Sequence, residues 1–251
     1  MASNSETGGD AALAADLAAA AGRLLVAMLS SAGTAAQGQA GDRAANEFLV
    51  DALRRARPDD GLLSEEMRCD GARLAQGRVW IVDPVDGTRE YAEGRADWAV
   101  HVGLAIDGVA RVGAVALPAE GLVLRSDEVR PLPSPSPVPR MVVSRSRAAP
   151  AVTTAAARLG AELILMGSAG AKAMAVVRGA AEIYLHCGGQ YEWDSAAPVA
   201  VAAAHGLHCS RVDGAPLRYN LADPYLPDLL ICRREWAKPV IAALAEATRG
   251  T

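Results

Sequence analysis

Four cysteines, Cys69, Cys187, Cys209 and Cys232, occur with no CxxC pair and no zinc-finger spacing. This leaves neither a redox dithiol nor a Cys-rich metal knot, and the thiols read as buried groups in a reducing compartment. His186, His205 and His208 lack ligand spacing, which speaks against a zinc centre, and His101 lies within a strand pattern and reads as structural. There is no basic excess: 25 Lys and Arg face 29 Asp and Glu, a net charge of −4. A binder of nucleic-acid polymers is therefore not expected, although local dipoles or cations can still attract a small anion. No 18 uncharged apolar residues run together, so no membrane span is expected. The apolar stretch Ala11 to Met28 has no basic n-region, and Asp10 and Asp16 sit in or beside it, unlike an export signal. The expectation is a cytoplasmic protein. Ser144, Ser168 and Ser195 sit in no nucleophile elbow.

What is present is ample apolar material, 51% of 251 residues, enough to bury a sizeable core. Leu13, Leu17, Leu24, Leu25 and Met28 fall at helical spacing among alanines, predicting a helix over 10–31. Residues 33–41, with three glycines, read as a loop, and 42–57 as a second helix opened by Asp42 and ended by Pro58. Short strands are expected over 61–63 and 78–82. A hairpin over 98–106 and 109–117 turns at Asp107-Gly108, and a further strand covers 121–125. These strands predict an antiparallel sheet with the two helices laid on it. The proline-rich run 131–139 marks a boundary, dividing the chain into 1–138 and 139–251. Beyond it, strands over 141–144, 162–166, 182–186 and 229–232 alternate with helices over 151–159, 169–178, 194–205 and 235–247, an α/β pattern.

The most informative segment is Val79 to Thr88, Val-Trp-Ile-Val-Asp-Pro-Val-Asp-Gly-Thr. A buried strand delivers two carboxylates at its end. Gly87 permits a sharp turn, and Thr88 is placed to cap a new helix whose free N–H groups suit a phosphate. Hydrolysis of phosphate monoesters is among the slowest uncatalysed reactions known, and divalent ions held by hard oxygen ligands can drive it. Glu65 in Leu-Ser-Glu-Glu, Asp194 in Trp-Asp-Ser-Ala-Ala and Asp42 are the candidate partners of Asp83 and Asp86. Singly, each reads as a cap or a solvated turn; it is the joint pattern that points to a metal site.

The Glu-Glu pair, Asp-Pro-hydrophobic-Asp-Gly-Thr and Trp-Asp-x-Ala-Ala, in this order, resemble the signatures of the inositol monophosphatase superfamily of Mg²⁺-dependent, lithium-sensitive phosphatases. The runs 97–101, 167–174 and 216–220 are similar to its CysQ branch, which acts on 3′-phosphoadenosine 5′-phosphate. The resemblance implies a mixed α/β (α+β) fold layered as an α/β/α/β/α sandwich, two to three Mg²⁺ ions, and a possible homodimer. It implies that Glu65, Asp83 and the Val85 carbonyl hold one metal, and that Asp83, Asp86 and Asp194 hold another. Gly87 and Thr88 would present N–H groups to phosphate, and Thr88 with Asp42 would orient and deprotonate the attacking water, with a third, weaker ion near Glu65. Ser168, Gly170 and Lys172 would approach the substrate; Ser168 and Gly170 could equally do no more than start the helix, and for Lys172 a solvated helix lysine is an equal alternative. Relatives carry Lys-x-x-x-Asp-x-Val-Thr-x-x-Asp before the second helix, of which only Asp42 remains here. Where inositol-selective relatives have an acidic residue, this chain has Cys187. Tyr191, Trp193, Arg218 and Tyr219 could frame a nucleobase, with core burial weighed equally.

Three rivals stand beside this reading. Haloacid-dehalogenase-type phosphatases place one residue, not two, between their aspartates. Inositol phosphates or fructose 1,6-bisphosphate could be the substrate on the same fold. A phosphonucleotide-binding protein without turnover would keep the site but not the chemistry.

Overall fold

A computed structural model describes residues 4–29, 36–67, 71–146 and 148–249; Cys69 and residues 30–35 lie outside them. Alternation along each strand organises the molecule. In strand β2 (Arg78–Asp86), Trp80 and Val82 face one way, Val79 and Ile81 the other, and all four are buried. A sheet covered on both faces needs such a continuous apolar run. Strand β2 lies in a five-stranded sheet ordered β1 (Gly61–Ser64), β2, β3 (Ala99–Ile106), β4 (Val109–Leu117), β5 (Leu122–Arg125). The Trp80 face packs under helices α1 (Asn4–Leu29) and α2 (Ala36–Ala56) through Ala14, Leu25 and Leu49. By length and hydropathy alone, Gly8–Leu29 could cross a membrane. Here its alanine and leucine face is spent on the sheet.

The Val79 face meets helices α5 (Ala169–Val177) and α6 (Glu192–Ala204), whose far side meets the second sheet through Val142, Tyr184 and Ile231. That sheet is ordered β7 (Glu162–Met166), β6 (Arg140–Ser144), β8 (Ile183–Tyr191), β10 (Tyr225–Cys232), β9 (His208–Ser210). Its outer face packs on α4 (Pro150–Leu159) and α7 (Ala237–Arg249) through Met141, Leu185, Val240 and Leu244. The result is the expected α/β/α/β/α layering. A short helix, α3 (Thr88–Ala92), follows β2. The connector between the sheets carries no regular element from Val129 to Pro139 and is pinned by buried Glu182, which accepts from the N–H groups of Ser136 and Arg140.

Several elements differ from expectation. The first sheet is mixed, because β1 runs parallel to β2. Residues 36–41 are helical, so Asp42 sits inside α2 and does not open it. The glycines that suggested a loop serve close packing: a Cβ on Gly41 would lie 2.8 Å from the Tyr91 ring, and one on Gly38 3.3 Å from Thr88. Strand β8 continues to Tyr191, α6 begins at Glu192 before Asp194, and β9 was not anticipated.

Gly103 and Gly113 face each other across β3 and β4, directly beneath α6. A Cβ on Gly113 would stand 2.4 Å from the Ala197 carbonyl oxygen. Backbone cannot yield as a flexible side chain can, so Gly113→Ala should cost about 3 kcal/mol or more, read as a fall in the thermal midpoint. A wild-type midpoint would mean that α6 does not lie so close to the sheet.

Candidate active site

Each acidic residue arrives by a different backbone device. Parallel pairing matches Ser64 with Val82, so the chain beyond β1 delivers Glu65 beside Asp83. Between Asp83, opposite His101, and Asp86, opposite Ala99, the β2–β3 register shifts; such an irregularity re-aims side chains next to active sites. The Val85 N–H donates to Asp83 Oδ1 at 3.1 Å, closing the turn. Gly87 follows with φ 90°, a left-handed conformation that favours glycine. Thr88 is the first residue of α3, not its cap; its hydroxyl lies 3.0 Å from Asp42 Oδ2 and 3.1 Å from the Val85 carbonyl and donates to one at a time. Asp194 occupies the first turn of α6 and accepts from the Tyr191 N–H at 2.7 Å. Pro198, four residues on, has no N–H to offer the Asp194 carbonyl, so this cap contact helps secure the turn.

Asp83, Asp86 and Asp194 each bring one carboxylate oxygen to within 4.8 Å of the others. They line one cavity of about 340 Å³ together with Glu65, Val85, Gly87, Thr88, Ser168 and Lys172. Asp42 stands behind Thr88. Gly170 joins the site through its N–H, which donates to Asp86. The candidate metal ligands and phosphate-site residues thus converge on one region.

The electrostatics divide the carboxylates. Asp86 accepts from Ser168 Oγ (2.5 Å), the Ala169 N–H (3.1 Å) and the Gly170 N–H (2.6 Å), and His101 Nε2 lies 3.1 Å away. Despite burial, the charge and hydrogen bond of His101, with Lys172 and Ser168, hold its pKa far below the usual range. Asp83 goes the other way: burial, then the charges of Glu65, Asp86 and Asp194, raise it well above the usual value. Glu65 is exposed as a residue, yet its carboxyl is crowded, and desolvation followed by the charges of Asp42 and Asp194 pushes it up to about 8. Burial raises Asp42 to about 6, the Thr88 hydrogen bond opposing. Packed carboxylates that repel one another, with an all-oxygen donor set, call for a hard cation; the residues present fit Mg²⁺. Asp42 Oδ1, buried with no hydrogen-bond partner among the described residues, agrees with a site that is completed by a ligand.

Lys172 is not a solvated helix lysine. It is buried, its Nζ donates to the carbonyls of Gly167 and Ser168, and it lies 5.4 Å from the Tyr184 ring centroid. Tyr219 is a core residue bonded to Ser195, Arg218 is exposed, and Tyr191, stacked on Trp193 with centroids 4.7 Å apart, does not line the cavity. Cys187 packs toward α4 and α7, away from the cavity. Sequence reasoning missed the contact of His101 with Asp86. It also passed over Gly170 as the residue that permits it, since a Cβ there would lie 2.0 Å from His101 Nε2. Gln190, Tyr184 and His186, which line the cavity, were not assigned either.

Fold and site together define a layered α/β protein with an acidic, oxygen-donor centre. The chain matches the Inositol monophosphatase family over residues 10–132 and 134–249 and belongs to it. A Mycobacterium leprae protein named 3′-phosphoadenosine 5′-phosphate phosphatase is 50% identical over 94% of this chain and 94% of its own. The Escherichia coli 3′(2′),5′-bisphosphate nucleotidase CysQ is 31% identical over 74% of this chain and 81% of its own. The crystal structure of CysQ from Bacteroides thetaiotaomicron superposes with a TM-score of 0.81 at 26% identity, covering 90% of this chain and 97% of that one.

Proposed function

We propose that this chain is a Mg²⁺-dependent phosphomonoesterase that removes the 3′-phosphate of 3′-phosphoadenosine 5′-phosphate, and of 3′-phosphoadenylyl sulfate, by direct attack of water on phosphorus. The observation that carries the reading is the convergence of Asp83, Asp86 and Asp194 in one cavity, in a chain half identical to relatives named for this activity. Glu65, Asp83 and the Val85 carbonyl would hold one ion, and Asp83, Asp86 and Asp194 a second, with a third, weaker one near Glu65. When bound, such ions lower the pKa of water and neutralise charge on the phosphoryl and leaving oxygens.

The chain's own groups supply the rest. The N–H groups of Gly87 and Thr88 would donate to a phosphate oxygen. Thr88 Oγ1, donating to Asp42 Oδ2, leaves its lone pairs to accept a proton from a water molecule as its own proton passes to Asp42. With a pKa of about 6, Asp42 is a competent acceptor near neutral pH. Asp86, held anionic by Ser168, Gly170 and His101, stays in place without a proton to lose. The substrate is a small phosphorylated nucleotide.

A panel assay of phosphate release tests this in Mg²⁺, with and without lithium. The expected result is the highest kcat/KM on the adenosine bisphosphate, dependence on Mg²⁺ and inhibition by lithium. Preference for inositol 1-phosphate or fructose 1,6-bisphosphate would move the substrate within the family, and no release from any ester would leave only a binding role.

A further inference from the structure

Gln190 is 7% exposed, lines the same cavity as the carboxylates, and has neither its carboxamide oxygen nor its nitrogen hydrogen-bonded among the described residues. A buried carboxamide with donor and acceptor both unmet is costly, and in a cavity it marks where a ligand completes the pairing. The backbone holds it there. Opposite β10 the strand carries an extra residue, since Leu226 pairs with Gln190 but Asp228 with Cys187, and Gly188 and Gly189 within it take φ of 143° and 83°. The Gly189 carbonyl lies 3.0 Å from His186 Nε2, which anchors the bulge. Gln190 thus stands on a fixed backbone, and only three residues lie between it and Asp194, whose carboxylate is tied to the Tyr191 N–H.

We infer that Gln190 reads the sugar of the substrate, hydrogen-bonding the hydroxyl vicinal to the phosphate ester, which is the 2′-hydroxyl of a ribose 3′-phosphate. The inference rests on the phosphatase reading above and deepens it. A hydroxyl both donates and accepts, and so can satisfy either atom of the carboxamide. A phosphate would meet the nitrogen and repel the oxygen. A base needs an open aromatic face to stack on, yet the two rings that line the cavity are buried, Tyr184 with Lys172 Nζ over it and His186 tied to the Gly189 carbonyl, while the Tyr191–Trp193 stack lies outside the cavity.

The test is a two-by-two comparison of kcat/KM, wild type and Gln190→Leu against adenosine 3′,5′-bisphosphate and its 2′-deoxy analogue, with thermal midpoints to confirm folding. Wild type should prefer the hydroxyl-bearing substrate by ~10-fold or more. The variant should lose most of that preference, falling far more on the ribose substrate than on the deoxyribose one. Equal losses on both substrates, or an undiminished preference, would overturn the inference. If Gln190→Leu does not fold, Gln190→Met, which keeps the length but removes both polar atoms, takes its place under the same criteria. Should wild type ignore the nucleotide yet hydrolyse inositol 1-phosphate, the substrate proposal fails alone, and the same comparison is made with the cyclitol and its vicinal deoxy analogue. Hydrolysis of neither overturns both.

Discussion

Asp83→Asn is expected to abolish turnover and, in metal-free buffer, to raise the melting temperature. Asp83 is 1% exposed and its charge is opposed by burial and by Glu65, Asp86 and Asp194. The neutral amide removes that repulsion while keeping an acceptor for the Val85 N–H, which now bonds to Asp83 Oδ1. The metal-free midpoint should rise by ~4 °C or more. Turnover should fall by about 10³-fold or more, because an anion that would help hold the cations is gone. Functional sites store such destabilisation, and removing it trades activity for stability. Near-normal phosphate release from the variant would refute the ligand role of Asp83. A lower metal-free midpoint would show that the carboxylates do not strain the fold.

The second large effect is a coupling of stability, pH and Mg²⁺. Glu65 is raised from 4.5 to about 8 and Asp42 from 3.8 to about 6. A carboxyl whose pKa is raised on folding favours the folded state while protonated, and that contribution is lost as pH climbs through the folded pKa. His101, also raised, works in the same direction. The metal-free protein should therefore melt lower as pH rises from about 6 to about 8.5, by ~5 °C or more. Saturating Mg²⁺, which binds the deprotonated site, should stabilise more at the alkaline end, since metal binding there displaces fewer protons. Differential scanning fluorimetry over this range, with EDTA or Mg²⁺, reads both. A Mg²⁺ increment that shrinks with rising pH would contradict the account.

Much of this was legible in the residues. Periodicity gave two halves, helices laid on a sheet and then alternating strands and helices; the five-layer stacking came with the family resemblance, and the metal-site candidates with three short signatures spread along the chain. Close packing hid the rest. Gly38 and Gly41 look like loop residues unless Thr88 and Tyr91 are seen pressed against them. The parallel pairing of β1 with β2, which brings Glu65 to Asp83, leaves no local trace, because a four-residue strand reads alike in either direction. His101 is a single polar residue in a strand pattern, and Gln190 fell between the expected strand over 182–186 and the helix over 194–205. Their contacts depend on Asp86 and on the bulge at Gly188 and Gly189, which only the folded chain brings to bear. Cys187, read as a departure from inositol-selective relatives, turns toward the outer core.

The central claim is that acidic groups distant along the chain grip divalent cations in one place. Crystals soaked in Mn²⁺, a magnesium substitute that scatters anomalously, would address it most directly. The account predicts anomalous peaks in the cavity, ligated by Glu65, Asp83, Asp86 and Asp194 and absent from crystals of Asp83→Asn. Ions found only elsewhere on the protein, or the same peaks in the variant, would contradict it.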